Sequence, residues 1–279
     1  MADRMKIGFI GVGDQGGPIA RRIVESGFDL TLWARRAESL QPYADTAATC
    51  APSIAALGEA CDIVGVCVYA DADVEQVVGP LLAAMRRGGI ILIHSTASPG
   101  LCKALAAKGR AQGVAVLDAP VSGGRARAAT GEMTVMVGGD RDAYERALPV
   151  LETFAKKIAW LGEAGSGQIC KLINNAVATV HFATALAFFE AGERMGLDRA
   201  ALAGMLASGS AQSYGIEAMA VPTPESLAFG LSRLEKDVGL MLDVLDENGL
   251  HESRAAAQSR RGVQDFAAAA AEAGQRPGV

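Results

Sequence analysis

The chain has 279 residues, half of them hydrophobic, 5% aromatic and 20% charged, with a formal net charge of -5. That length admits two ordinary domains, and that apolar content excludes an intrinsically disordered chain. An acidic balance without a clustered basic field excludes a nucleic-acid-wrapping surface. The five cysteines (Cys50, Cys61, Cys67, Cys102 and Cys170) show no C-x-x-C spacing, so neither a disulfide framework nor a metal site is expected, and a reducing cytoplasm fits best.

The first apolar run, residues 6–10, reads as a strand and starts too early to leave room for a secretory leader before it. It runs into Gly11-Val12-Gly13-Asp14-Gln15-Gly16, after which an amphipathic helix is predicted. This is G-x-G-x-x-G between a strand and a helix. The first glycine permits the tight turn, the second lets the backbone approach a pyrophosphate, and the third lets helix pack on strand. The helix N-terminus supplies a positive dipole. Gly11, Val12, Gly13, Asp14, Gln15 and Gly16 are therefore expected to hold a dinucleotide.

The second strand, residues 30–33, ends in Trp33-Ala34-Arg35-Arg36. A cofactor with a free ribose 2′-hydroxyl calls for an acidic residue here. Two guanidinium groups, each a planar fork of donors, match a 2′-phosphate instead. NADP is the expected cofactor, ahead of NAD, with Arg35 and Arg36 as the discriminating residues.

Apolar runs at 63–68, 90–93 and 114–117 continue a βαβ rhythm, which predicts a Rossmann-type, doubly wound parallel sheet. Two further runs, 134–137 and 157–161, flank a helical pattern that begins after Asp140, and are expected to complete that sheet. A nucleotide-binding α/β domain over 1–163 follows. From Ser166 onward the strand signal disappears, and helices broken at Gly196, Gly209, Pro222, Pro224 and Gly249 succeed one another. Residues 164–279 are therefore expected to form an all-α domain.

The first helix of that domain, residues 166–195, is apolar on most of its circumference. Residues 172–189 carry no formal charge and are long enough to raise a membrane-spanning reading, but Asn174, Asn175, Thr179, His181 and Thr184 interrupt them. A helix sandwiched between domains or subunits is expected, with no membrane partner. No internal repeat is apparent, and only the Ala-rich stretch 267–273 is of low complexity.

Four segments carry a family resemblance when taken together. They are Gly8-Phe9-Ile10-Gly11-Val12-Gly13, Asp118-Ala119-Pro120-Val121-Ser122-Gly123-Gly124, Gly165-Ser166-Gly167-Gln168-Ile169-Cys170-Lys171-Leu172-Ile173-Asn174-Asn175, and Lys236-Asp237. In this order they resemble the β-hydroxyacid dehydrogenase family, which includes 3-hydroxyisobutyrate dehydrogenases, tartronate semialdehyde reductases, and reductases of glyoxylate or of succinic semialdehyde. The resemblance implies a small hydroxy acid or its semialdehyde as substrate, with Lys171 as general acid/base. It implies that Ser122, Gly123 and Gly124 bind the substrate carboxylate, that Thr96 of Ser95-Thr96 lies beside the nicotinamide, and that Lys236 reaches the cofactor with Asp237 orienting it. It also implies a homodimer or homotetramer built through the α-helical domain.

The chemistry asks for such groups independently. Reduction of a carbonyl delivers hydride to carbon while the developing alkoxide must receive a proton, and a lysine at the start of so apolar a helix is placed to give it. Asn175 lies at i+4 from Lys171 and shares its helix face. Successive backbone N–H groups at Ser122-Gly123-Gly124 can converge on an anion because glycine keeps side chains away.

The chain departs from the family at Gln15, where methionine is usual, at His94, where a small or apolar residue is usual, and at Arg127, often glycine. His94 reads as a packing or surface residue rather than a catalyst. Arg125 and Arg127 put two cations at the rim of the substrate loop, and an inward-facing Arg127 would favour a second anionic group on the substrate. Imine reductases share this architecture but usually lack the lysine, and a non-catalytic NADP-binding sensor would need only the first domain. Lys171, Asn175 and the Ser122-Gly123-Gly124 loop weigh for the dehydrogenase.

Overall fold

Six segments form one parallel sheet: β1 (Lys6–Ile10), β2 (Asp29–Trp33), β3 (Thr49–Cys50), β4 (Ile63–Val66), β5 (Ile90–Ile93) and β6 (Ala115–Asp118), in the order β3-β2-β1-β4-β5-β6. The computed structural model describes residues 5–275; the expectation that no leader precedes the first strand concerns residues 1–4 and lies outside the described residues. Side chains alternate across the sheet. Ile7, Phe9, Ile63, Ile90 and Leu92 enter one core, while Ile10, Val64, Val66, Ile91 and Ile93 enter the other. Strands buried on both faces read as unbroken apolar runs, which is why β1, β4 and β5 are visible in the sequence. The two exposed residues of β3 are not.

Helices cover both faces. α1 (Gly16–Glu25), α5 (Gly124–Thr130) and α6 (Arg141–Leu151) supply Ile19, Ile23, Ala128, Tyr144 and Leu151 to the first core. α2 (Ile54–Ala60), α3 (Asp71–Ala84) and α4 (Pro99–Gln112) supply Leu57, Val74, Val78, Leu81 and Leu105 to the second. Their starts are chemically marked. Ser98 Oγ accepts from Leu101 N at 3.2 Å with Pro99 in the first turn, and Asp140 Oδ1 accepts from Ala143 N at 2.8 Å, caps worth about 1 kcal/mol each.

The runs expected to complete the sheet do not join it. β8 (Met133–Val137) and β9 (Ala155–Trp160) pair in parallel with each other, and β7 (Val121–Ser122) pairs antiparallel to β8, giving a separate three-stranded sheet. Among the described residues, an isolated bridge, Asp118 to Gly138, links β6 to it. Pro120 has no amide to continue a ladder beyond β6, and its carbonyl instead accepts from Met136 N at 3.1 Å.

The chain divides into two compact units, residues 1–171 and 172–279. α7 (Ser166–Arg194) starts in the first and continues into the second, where α8 (Arg199–Ser208), α9 (Tyr214–Ala218), α10 (Pro224–Glu247) and α11 (Arg254–Gln275) follow, with no strand among the described residues. Within the second unit, Leu172 and Ala176 pack with Met241, Leu245 and Ala256. Ala183 and Leu186 pack with Leu227, Leu234 and Phe266, and Phe189 packs with Ala203 and Ile216. α7 has the length and apolarity of a membrane-crossing helix, yet one side fills these cores. The other side is open: Ile173, Val177 and Phe188 are 47%, 49% and 66% exposed.

Candidate active site

Strand register sets the site's location. Ile10 lies opposite Trp33 and Val66, Val66 opposite Ile93, and Ile93 opposite Asp118, so the loops after β1, β2, β4, β5 and β6 all leave from one sheet edge. Strand order reverses between β1 and β4, where open α/β sheets bind ligands. Gly11 sits there with φ +93°, and a Cβ on it would fall 2.1 Å from the Cys67 carbonyl oxygen. A Cβ on Gly16 would fall 2.0 Å from the Gly11 carbonyl oxygen, whereas one on Gly13 would meet nothing within 4 Å. The first and third glycines are demanded by close packing. The second opens a space beside the α1 N-terminus that suits a pyrophosphate. Gly17 N donates to Gly13 O at 2.8 Å as the helix begins. Val12 packs on the first core, Gln15 is the N-cap without a side-chain capping bond, and Asp14 is exposed, 3.6 Å from Arg125.

Arg35 and Arg36 follow β2 directly, both exposed. Arg35 Nη2 lies 3.0 Å from Asp73 Oδ1 in the first turn of α3, and Arg36 Nε lies 4.0 Å from Glu38.

The segment after β5 is held from three sides. Ser95 Oγ accepts from Val68 N at 2.8 Å, and the Asp71 carboxylate accepts from Ser98 N at 3.1 and 3.2 Å. Gln168, fully buried in the first turn of α7, donates through Nε2 to Ser95 O at 2.8 Å and accepts from Ala97 N through Oε1 at 3.1 Å. Thr96 lies in the middle, partly exposed. Asp118, at the end of β6, accepts from Gly165 N at 2.7 Å and from Gln168 N at 2.9 Å, so it caps the start of α7. Burial pushes its carboxyl above the usual range, against the amide hydrogen bonds that favour its charge. Lys171, one turn after Gln168, is only 8% exposed.

His94 is a core residue. Its Nδ1 lies 2.9 Å from Ala119 O, its ring stacks on Phe9 at 5.9 Å and meets Phe154 edge-on at 5.6 Å. Burial lowers its pKa to about 4, so at neutral pH the ring is uncharged and Nδ1 donates.

Ser122 lies in β7 opposite Thr134, and Gly123 and Gly124 follow with φ +131° and +66°. The stem of Arg127 folds over Gly123, where a Cβ would fall 2.9 Å from Arg127 Cβ. Arg127 and Arg125 are both exposed.

In the second unit, Asp237 is buried and holds two expected site residues at once. Its Oδ2 accepts from Asn175 Nδ2 at 2.5 Å and its Oδ1 pairs with Lys236 Nζ at 2.7 Å. Asn175 Oδ1 also accepts from Asn174 Nδ2 at 3.0 Å. Sequence reasoning missed this bridge, because nothing in the spacing of residues 175 and 237 signals it. It also missed Asp118, Gln168 and Asp73, although an acid closing a strand and a glutamine inside Gly165-Ser166-Gly167-Gln168 were available signals.

Residues 6–162 match the family of the NAD-binding domain of 6-phosphogluconate dehydrogenase, and residues 165–276 match the family described as NAD-binding of NADP-dependent 3-hydroxyisobutyrate dehydrogenase. An L-threonate dehydrogenase of Cupriavidus necator is 36% identical over 244 residues, covering 85% of this chain and 82% of that protein. An NAD-dependent L-serine dehydrogenase of Pseudomonas aeruginosa is 34% identical over 218 residues, covering 76% and 72%. Among solved structures, a 3-hydroxyisobutyrate dehydrogenase of Mycobacterium tuberculosis in complex with L-serine superposes with a TM-score of 0.82 at 27% identity, covering 97% of this chain and 95% of that one. A strand-end cradle for a dinucleotide, a helical second unit and matches along both lead to one conclusion: the chain belongs to the 3-hydroxyisobutyrate dehydrogenase family and is an NAD(P)-dependent hydroxyacid dehydrogenase.

Proposed function

We propose that this dehydrogenase uses NADP in preference to NAD to interconvert a small β-hydroxy acid and its semialdehyde or keto form, with Lys171 as the proton-transfer residue. The observation that carries the reading is the burial of Lys171 one turn after Gln168, whose side chain grips the Ser95-Thr96-Ala97 backbone. A lysine is seldom buried without a task. When bound, the nicotinamide supplies or receives the hydride. Lys171 Nζ gives a proton to the developing alkoxide in reduction and takes it back from the hydroxyl in oxidation. Asn175, oriented by Asp237, holds the same substrate oxygen, and Ser122, Gly123 and Gly124 hold the carboxylate. Thr96 borders the nicotinamide, Lys236 reaches the cofactor, and Arg35 and Arg36 take the 2′-phosphate.

The division of labour assigns residues 1–163 to the cofactor and 164–279 to substrate and assembly. The exposed apolar side of α7 and an open groove of about 1100 Å³ in the second unit, lined by Val180, Thr184, Phe188, Val221 and Leu227 among others, support a homodimer or homotetramer built there. Five free thiols support a cytoplasmic setting. Neither nucleic acid nor membrane enters this function.

The test is nicotinamide absorbance with 3-hydroxyisobutyrate, L-serine, L-threonate and short semialdehydes, each with both cofactors, in wild type and Lys171→Ala. The substitution is expected to lower kcat by about a hundredfold or more, the scale of a lost general acid/base, with cofactor affinity nearly unchanged. Near-normal turnover in the variant sinks the assignment of Lys171. Turnover of cyclic imines alone would replace the substrate class.

A further inference from the structure

We infer that Asp73 sets how strongly this chain distinguishes NADP from NAD, by holding Arg35 as an internal competitor for the 2′-phosphate. The inference rests on the proposed role of Arg35 and Arg36 as the 2′-phosphate site. The two oxygens of Asp73 divide their work. Oδ2 accepts from Ala70 N at 3.3 Å, fixing the carboxylate in the first turn of α3, and Oδ1 faces Arg35 Nη2 at 3.0 Å. The Asp73 side chain is 28% exposed and that of Arg35 is 71% exposed, so the acid is the anchored partner and the arginine the movable arm.

The other acid of that turn, Asp71, is committed elsewhere, accepting from Ser98 N with both oxygens at 3.1 and 3.2 Å. Arg36, 4.0 Å from Glu38, is held more loosely. A 2′-phosphate carries about -1.5 to -2 charge near neutral pH. To reach Arg35 it must share or displace the carboxylate already there, and it then lies near that carboxylate's own charge. A cofactor with a bare 2′-hydroxyl has no such anion to place and leaves the pair undisturbed. Asp73 therefore weakens NADP and is indifferent to NAD, making it a specificity-determining residue supplied from α3.

The experiment measures dissociation constants of NADPH and NADH for the full-length protein by fluorescence titration, with Trp33 at the end of β2 as a nearby reporter. The proteins are wild type, Asp73→Asn, Arg35→Ala and the double variant. An asparagine keeps an oxygen for Ala70 N, so the α3 cap survives. Asp73→Asn is expected to tighten NADPH by about three- to fivefold at low salt, the upper part of what an exposed ion pair carries. NADH should change by less than about twofold, within the spread expected of a surface substitution. The gain should shrink at high salt and vanish when Arg35→Ala is also present. Equal tightening of both cofactors, weaker NADPH binding, or a gain that persists without Arg35 overturns the inference. If Arg35→Ala weakens NADPH as expected but Asp73→Asn changes nothing, the role of Asp73 falls alone. If Arg35→Ala leaves NADPH affinity unchanged, the 2′-phosphate reading falls and takes this one with it.

Discussion

His94 should make this fold acid-sensitive in a defined window. The ring is 2% exposed, packed between Phe9 and Phe154, with Nδ1 2.9 Å from Ala119 O. Burial disfavours the imidazolium and lowers the pKa from 6.5 to about 4. Between those pH values the unfolded chain binds a proton that the folded chain refuses, so stability falls as acid is added. At 1.36 kcal/mol per pH unit the loss approaches about 3 kcal/mol by pH 4, a large part of a typical domain's stability. Asp118, whose burial raises its pKa, acts with the opposite sign: its folded form gains a proton first as pH falls. The comparison must therefore be a difference. Urea unfolding of wild type and His94→Gln from pH 7.5 to 4.5, about 1.4 kcal/mol per pH unit apart in slope below pH 6.5, isolates the histidine. The chain has three histidines, and the other two, His181 and His251, are exposed. Parallel pH curves for the two proteins would refute the argument.

Gly11→Ala combines a positive φ with a Cβ 2.1 Å from the Cys67 carbonyl oxygen; we expect a loss of more than about 2 kcal/mol together with loss of cofactor binding, read by thermal unfolding with and without NADPH. Asp118→Asn turns one acceptor of the Gly165 and Gln168 amides into a donor, and an expected cost of about 1–3 kcal/mol would appear in urea unfolding. Arg125→Ala should raise KM for NADPH and NADH alike by about two- to fivefold, as befits an exposed cation beside Asp14 of the fingerprint loop, and leave KM for the carboxylate substrate unchanged. A selective effect on dianionic substrates would return Arg125 to the substrate loop.

The parts of this fold that show in the sequence are those where one local rule decides the outcome. Strands β1, β4 and β5 are buried on both faces and read as apolar runs. The glycines at 11 and 16 are fixed by contacts within a few residues or with the next strand. β3 is too short and exposed to signal itself, and the separate sheet of β7, β8 and β9 depends on where Pro120 stops one ladder, which periodicity does not encode. That Lys171 and Asn175 share a face of α7 is legible because helix spacing alone relates them. The Asp118 cap spans 47 and 50 residues, the Gln168 clamp 71 and 73, and the Asn175 to Asp237 bond 62, and such pairs are set by topology. Arg125 and Arg127 are adjacent in sequence to the substrate loop, and it takes the structure to put one 3.6 Å from Asp14 and the stem of the other beside Gly123.

Each of these long-range bonds ties a stretch of α7 to the unit it belongs to. Lys171 closes the first unit, and its helix is pinned there by Asp118 at the cap and by Gln168 on the Ser95–Ala97 backbone. Asn175 lies in the second unit and is pinned by Asp237. Between them runs only one turn of α7, four residues rising about 6 Å. Because both lie on one uninterrupted helix, their separation is set by helical pitch. In the proposed mechanism, the proton donor and the amide that steadies the same oxygen are thereby kept on one helix face.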